Sequence, residues 1–145
     1  MRKSALLAAF AALAASHVPA EAISGYRWKK RPLIVFAGSE NAEKLGKQRR
    51  IVEAHRADLA ERDLVVVYVV GNDVSATLGA PPGLSAGALR RKYGIKDGEF
   101  RAVLVGKDGG VKKTAASPLT AEALAGTIDA MPMRRDEVRR RARKG

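Results

Sequence analysis

Seven consecutive apolar residues, Leu64 to Val70 (LVVVYVV), constrain this chain more than anything else in it. Five of the seven are valine, whose branched side chain favours extended backbone. A strand apolar at both odd and even positions buries both of its faces, so helices must cover the sheet on each side. A second, shorter run of the same kind, Leu33 to Ala37 (LIVFA), follows Pro32. Between the two runs, Leu45, Gln48, Val52, His55 and Leu59 recur at helical spacing, which predicts a helix over about Asn41 to Ala60. Strand, helix and strand of these lengths make a βαβ unit with a parallel sheet.

Downstream, Gly71 to Gly83 is rich in Gly, Ala and Pro and is expected to be a loop. Ser85 caps a short helix to about Tyr93, which Gly94 stops. Phe100 to Val105 is a strand, Lys107-Asp108-Gly109-Gly110 a hairpin turn, and Val111 to Ala115 the returning strand. Thr120 caps a last helix from Ala121 to about Met131, ended by Pro132. The order β-α-β-α-β-β-α joins a βα half to a ββα half, the layout of a thioredoxin-like α/β core in a single domain.

That core begins after an address. Arg2 and Lys3 precede an apolar run from Ala5 to Ala15, and Pro19-Ala20-Glu21-Ala22 offers small residues for cleavage. Residues 1–22 therefore read as a secretory signal peptide, with the mature chain starting at Ile23. The run is too short for a membrane anchor, which needs about 20 residues. The domain is expected over residues 23–133, and a basic C-terminal tail over 134–145 as a solvated extension. The expected product is exported, periplasmic or secreted, and soluble after cleavage.

Composition then removes whole classes of chemistry. The chain of 145 residues has no cysteine, which excludes disulfides, thiolate nucleophiles and thiolate-bound metals. His17 and His55 are the two histidines, and neither metal nor cofactor is expected. The formal net charge of +12 points to anionic partners or surfaces. An exported protein rarely meets nucleic acid, so an anionic envelope component or another exported protein is the expected partner.

Several pieces together resemble a bacterial domain family of unknown function that also occurs in extracellular animal proteins such as equarin and the sushi-repeat-containing proteins. The residues that carry the resemblance are Tyr26-Arg27-Trp28 with Arg31, Gln48, Glu61-Arg62-Asp63-Leu64, Leu104-Val105-Gly106-Lys107-Asp108-Gly109-Gly110, and Ile128-Asp129-Ala130-Met131-Pro132-Met133-Arg134-Arg135. The resemblance runs from about Gly25 to Val138. It implies a thioredoxin-like fold related to peroxiredoxins, with no settled activity.

In thioredoxins the redox pair sits where the first helix leaves its strand, which here is the neighbourhood of Asn41 and Lys44. Ser39 offers a hydroxyl there without an adjacent base, and Ser39 or Asn41 also reads as a helix cap. The helix start is a place for an anion, although Glu40 and Glu43 already put negative charge in that turn. Arg101 falls where thioredoxins carry a cis-proline. Its strand is similar to the one bearing the active-site arginine of peroxiredoxins, with the turn glycine about one residue too close. The plain alternative pairs Arg101 with Glu99. Gln48 and His55 are polar residues on an apolar stripe and are expected to be hydrogen-bonded within the packing. Trp28, among Tyr26, Arg27, Lys29, Lys30 and Arg31, suits an anionic ligand or plugs the core.

The candidate ligand-binding residues are thus Arg101, Ser39, Asn41, Gln48, Trp28 and Arg31, with no catalytic set. Three functions remain open. One is a non-enzymatic binding module of the cell envelope. Another is an electrostatic binder of anionic lipid, glycan or nucleic acid. The third is a peroxiredoxin-like enzyme that uses a non-thiol site around Arg101.

Overall fold

The computed structural model describes residues 22–77 and 84–144. The expected signal peptide, up to residue 21, and the Pro81-Pro82 segment lie outside the described residues. A short 3-10 turn, Ala22–Tyr26, leads into β1, Arg31–Ala37. Then follow helices α1, Glu43–Ala54, and α2, Arg56–Glu61, and strand β2, Leu64–Val70. Strand β3, Asp73–Ala76, and helix α3, Ala86–Tyr93, come next, before strands β4, Arg101–Val105, and β5, Val111–Ala115. Helices α4, Ala121–Asp129, and α5, Pro132–Lys144, close the chain. This is one mixed α/β domain around a five-stranded sheet of order β3-β2-β1-β4-β5.

The two apolar runs lie side by side. β1 and β2 pair in parallel from Arg31 opposite Leu64 to Ala37 opposite Val70, and every residue of both strands is buried. Alternation splits them between two cores. Leu33, Val35, Val66 and Tyr68 face Leu45 and Val52 of α1, Leu59 of α2, and Leu124 and Ile128 of α4. Ile34, Phe36, Val67 and Val69 face Ala86 and Leu89 of α3, together with Ile23 from the N-terminal turn. β4 and β5 extend the sheet antiparallel to β1. The Ser85 and Thr120 caps accept from the Ala88 and Ala123 amides.

Four expectations need correction. The first long helix breaks at His55, whose Nδ1 takes the Ile51 carbonyl at 3.0 Å, while its own amide tightens back to Val52. The ring is exposed, so His55 leaves the apolar stripe that Leu45, Gln48, Val52 and Leu59 keep. Neither Ser39 nor Asn41 caps α1: the helix starts two residues later, behind Ala42, with no side-chain cap. Part of the expected loop 71–83 is strand β3, folded onto β2 by a two-residue Gly71-Asn72 turn with Gly71 at φ 57°. Finally, the helix from Ala121 does stop before Pro132, at Asp129, but it is not the last: Pro132 begins another. Proline has no amide proton to lose at a first helical position, so α5 starts there and carries the basic residues 134–144 as an ordered helix.

Candidate functional site

The residues singled out in the sequence fall at opposite ends of the sheet. Ser39 and Asn41 are exposed just past the C-terminal end of β1. Arg101 opens β4 opposite Phe36, near that same end. Its guanidinium is taken by Glu99, with Nη2 2.6 Å from Oε2. The hydrogen bond from Arg101 and the Lys96 amide holds the Glu99 carboxyl below its ordinary range. Backbones abut here: a Cβ on Gly38 would stand 2.9 Å from the Gly98 Cα. Buried Arg90 donates to the Gly71 carbonyl at 2.6 Å and the Ala37 carbonyl at 3.1 Å. Gln48 is fully buried and closes a two-way bond with the Leu119 backbone, donating at 3.0 Å and accepting at 2.7 Å. Its whole amide is spent on holding the α4 approach to α1.

Trp28 and Arg31 sit at the other end, where β1 begins and β4 finishes, and there the structure opens a cavity of about 520 Å³. Three separated segments build it. The first is the arm before β1. Trp28 adopts φ 69°, a left-handed conformation that is uncommon outside glycine, and its amide donates to the Lys107 carbonyl at 2.7 Å. The indole is 64% exposed, so this single tryptophan stands at the rim and plugs no core. The second segment is the β4–β5 turn, over which the arm is clamped: a Cβ on Gly109 would stand 2.8 Å from the Arg27 guanidinium. The Lys112 stem crosses Gly106 closely: a Cβ there would come 2.5 Å from Cε of Lys112 and displace that flexible stem. The third is the α4–α5 junction, whose Ala130, Met131, Pro132 and Met133 form an apolar wall.

Ion pairs lock the three segments together. Arg31, 1% exposed, donates to the Arg62 carbonyl at 2.9 Å and to Glu137 of α5 at 3.1 and 3.4 Å. Lys107 reaches Glu137 at 2.6 Å and Asp63 at 2.8 Å. Arg134 bridges Glu61 at 2.7 Å and Asp129 at 3.4 Å, and Asp129 also takes Arg62 at 3.0 Å. Charge-assisted contacts of this length are the strong class of hydrogen bond. Burial pushes the Glu137 carboxyl up, but the hydrogen bonds from Lys107 and Arg31 outweigh it and hold the group below its ordinary value. The Asp129 carboxyl is likewise held low, chiefly by the Arg62 hydrogen bond. Asp63 is placed for this by φ 57° at the entry to β2.

Sequence reasoning singled out Trp28 and Arg31 but took Arg134 and Glu137 for part of a solvated tail. The signal was present in Pro132 followed by an acid-containing basic helix. Lys107 was assigned to a turn, and the sequence gives no sign that Asp63 and Glu137 meet around it.

Fold and site together define a small α/β domain whose last described helix is tied to the sheet by charge, beside an open cavity. The chain belongs to the family described as Domain of unknown function (DUF4174), whose model matches residues 22–137. It is 28% identical over 134 residues to a Danio rerio protein named coiled-coil domain-containing protein 80; the match covers 80% of this chain. The chain spans 15% of the length of that relative.

Proposed function

We propose that this chain is an exported, non-enzymatic binding module with a thioredoxin-like core, and that the cavity beside Trp28 is its ligand site. The observation that carries the reading is the convergence of three distant segments on one opening. The arm, the hairpin turn and the α4–α5 junction are three of the segments on which the family resemblance rests, and each contributes lining. An exposed tryptophan held in an unfavoured backbone conformation at the rim supports the same reading, since such conformations cluster at ligand clamps.

Binding fits better than catalysis. Arg31 and Lys107 are engaged by carboxylates, and the Thr127 hydroxyl donates to the Ala123 carbonyl. The joining of a βαβ unit to a ββα unit through the antiparallel β1–β4 pair supports the thioredoxin-like core, with β3 added at one edge. For export, the family match begins at residue 22, where the expected cleavage falls. No described helix is long and apolar enough to cross a membrane.

The test uses the single tryptophan as reporter. N-phenyl-1-naphthylamine, a neutral apolar dye, should accept energy from Trp28 with a saturable Kd of roughly 10 μM, as expected for a ligand of its size in a half-open site. Ala130→Phe, at an exposed lining position, should remove binding without lowering Tm. Dye binding that is absent, or indifferent to Ala130→Phe, would falsify the proposal.

A further inference from the structure

The cavity lining mixes apolar and charged residues, and its formal charges are unbalanced. Among the described residues its lining carries the cations Arg31, Lys107 and Lys112 against the carboxylate of Asp108. Glu137 and Asp63, which neutralise Arg31 and Lys107, stand outside the lining. The lining itself therefore carries a formal excess of positive charge, although Arg31 and Lys107 are paired from outside it. Lys112 is the most available of the three. Its side chain is 34% exposed and its partner Asp108 is half exposed, so the pair is worth at most about 1 kcal/mol and exchanges readily for another anion. Arg31 also buries an Nε that has no hydrogen-bond partner, an unspent donor next to the cavity. The same lining holds Trp28, Met131, Pro132 and Met133. Methionine adapts its shape to varied apolar surfaces.

We infer that the cavity takes an anionic amphiphile, its apolar chain or ring against Trp28 and the α4–α5 junction and its carboxylate or phosphate head beside Lys112 and Lys107. This rests on the cavity being the binding site. It adds the chemical class of the occupant. A neutral head would gain no charge contact with Lys112, and a cationic head would be disfavoured by the positive excess of the lining.

The purified protein is titrated at pH 7.5, through Trp28 emission, with decanoate, decyl phosphate, 1-decanol and decylamine, all below aggregation. Decanoate and decyl phosphate should bind about tenfold more tightly than 1-decanol, the effect of one recovered charge contact of about 1.4 kcal/mol. Decylamine should bind weakest. Acetate and inorganic phosphate alone should not shift the emission. Lys112→Glu, at a solvent-facing position, should abolish the preference while N-phenyl-1-naphthylamine still binds. High salt should shrink the preference, since screening at 1 M reaches about 3 Å. Equal affinity for decanoate and 1-decanol, with the dye still bound, would overturn the charge assignment and leave the binding site standing. Loss of dye and amphiphiles together would overturn both. Binding confined to vesicles of anionic phospholipid would also refute the inference, in favour of a membrane surface.

Discussion

Replacing Glu137 by glutamine tests whether α5 is held by charge. The substitution keeps the side-chain shape but removes the carboxylate that faces Arg31 at 3.1 Å and Lys107 at 2.6 Å. Both cations are nearly out of water, 1% and 10% exposed, and Glu137 itself is 12% exposed. Removing one member of a buried pair leaves the other uncompensated, at a cost of about 3–5 kcal/mol. Glutamine retains one acceptor and Lys107 retains Asp63, so the expected loss lies at the low end, about 3 kcal/mol. For a domain of this size that is roughly 10 °C in Tm. The pH dependence fixes the cause. A carboxyl held low by folding stabilises the protein above its unfolded pKa of about 4.3, and the stabilisation disappears as pH falls through the folded value. The gap between wild type and Glu137→Gln should therefore be full at pH 7 and shrink as pH falls below the unfolded value and on through the lower folded one. Lys107→Met added to Glu137→Gln should recover part of the loss, because one orphaned cation is gone. Asp136→Asn on the exposed side of α5 should cost less than about 0.5 kcal/mol. Urea unfolding at pH 7 and pH 2.5 measures all of this. A Glu137→Gln loss under about 1 kcal/mol at pH 7, or a gap that persists undiminished at pH 2.5, would refute the charge argument.

Three other outcomes follow from the geometry. Arg90→Met should lower stability by about 2 kcal/mol in denaturant titrations, since the Ala37 and Gly71 carbonyls lose their donor; a neutral result would mean that water replaces the guanidinium. Gly106→Ala should cost under about 1 kcal/mol, because the obstructing Lys112 stem is flexible, yet it should weaken decanoate binding by displacing that stem; unchanged affinity would argue against a head group beside Lys112. Arg101→Ala should leave dye binding intact and move Tm by about 2 °C or less, the pair with Glu99 being only partly buried; loss of binding would relocate the site to the other end of the sheet.

What the sequence discloses and what it hides divide along a physical line. The strands Leu33–Ala37 and Leu64–Val70 announce themselves because burial on both faces requires unbroken apolar runs. The Ser85 and Thr120 caps are equally plain, since their bonds span only three residues. The break at His55 depends on an imidazole competing for a carbonyl one turn back, which periodicity cannot register. Strand β3 escaped because its residues, Asp73 to Ala76, are half exposed at an edge and pair only through a tight turn. The candidate site was half legible. Trp28 and Arg31 stood out by residue type, but their partner Glu137 lies 106 positions from Arg31. Ser39, Asn41 and Arg101 were drawn from analogy with redox sites, at an end of the sheet where Gly38 abuts Gly98 and Glu99 occupies the arginine.

The bond between Arg31 and Glu137 has a consequence for how the chain acquires its structure in time. Strand β1 is central, yet the guanidinium at its first residue finds its counter-ion in the last helix, 106 residues later. Closing so long a loop is entropically costly and slow compared with local contacts. Until α5 docks, the buried Arg31 guanidinium of this central strand lacks its counter-ion. Fragments truncated before Glu137 should be more sensitive to protease than those extended past α5, because they leave Arg31 and Lys107 without that carboxylate.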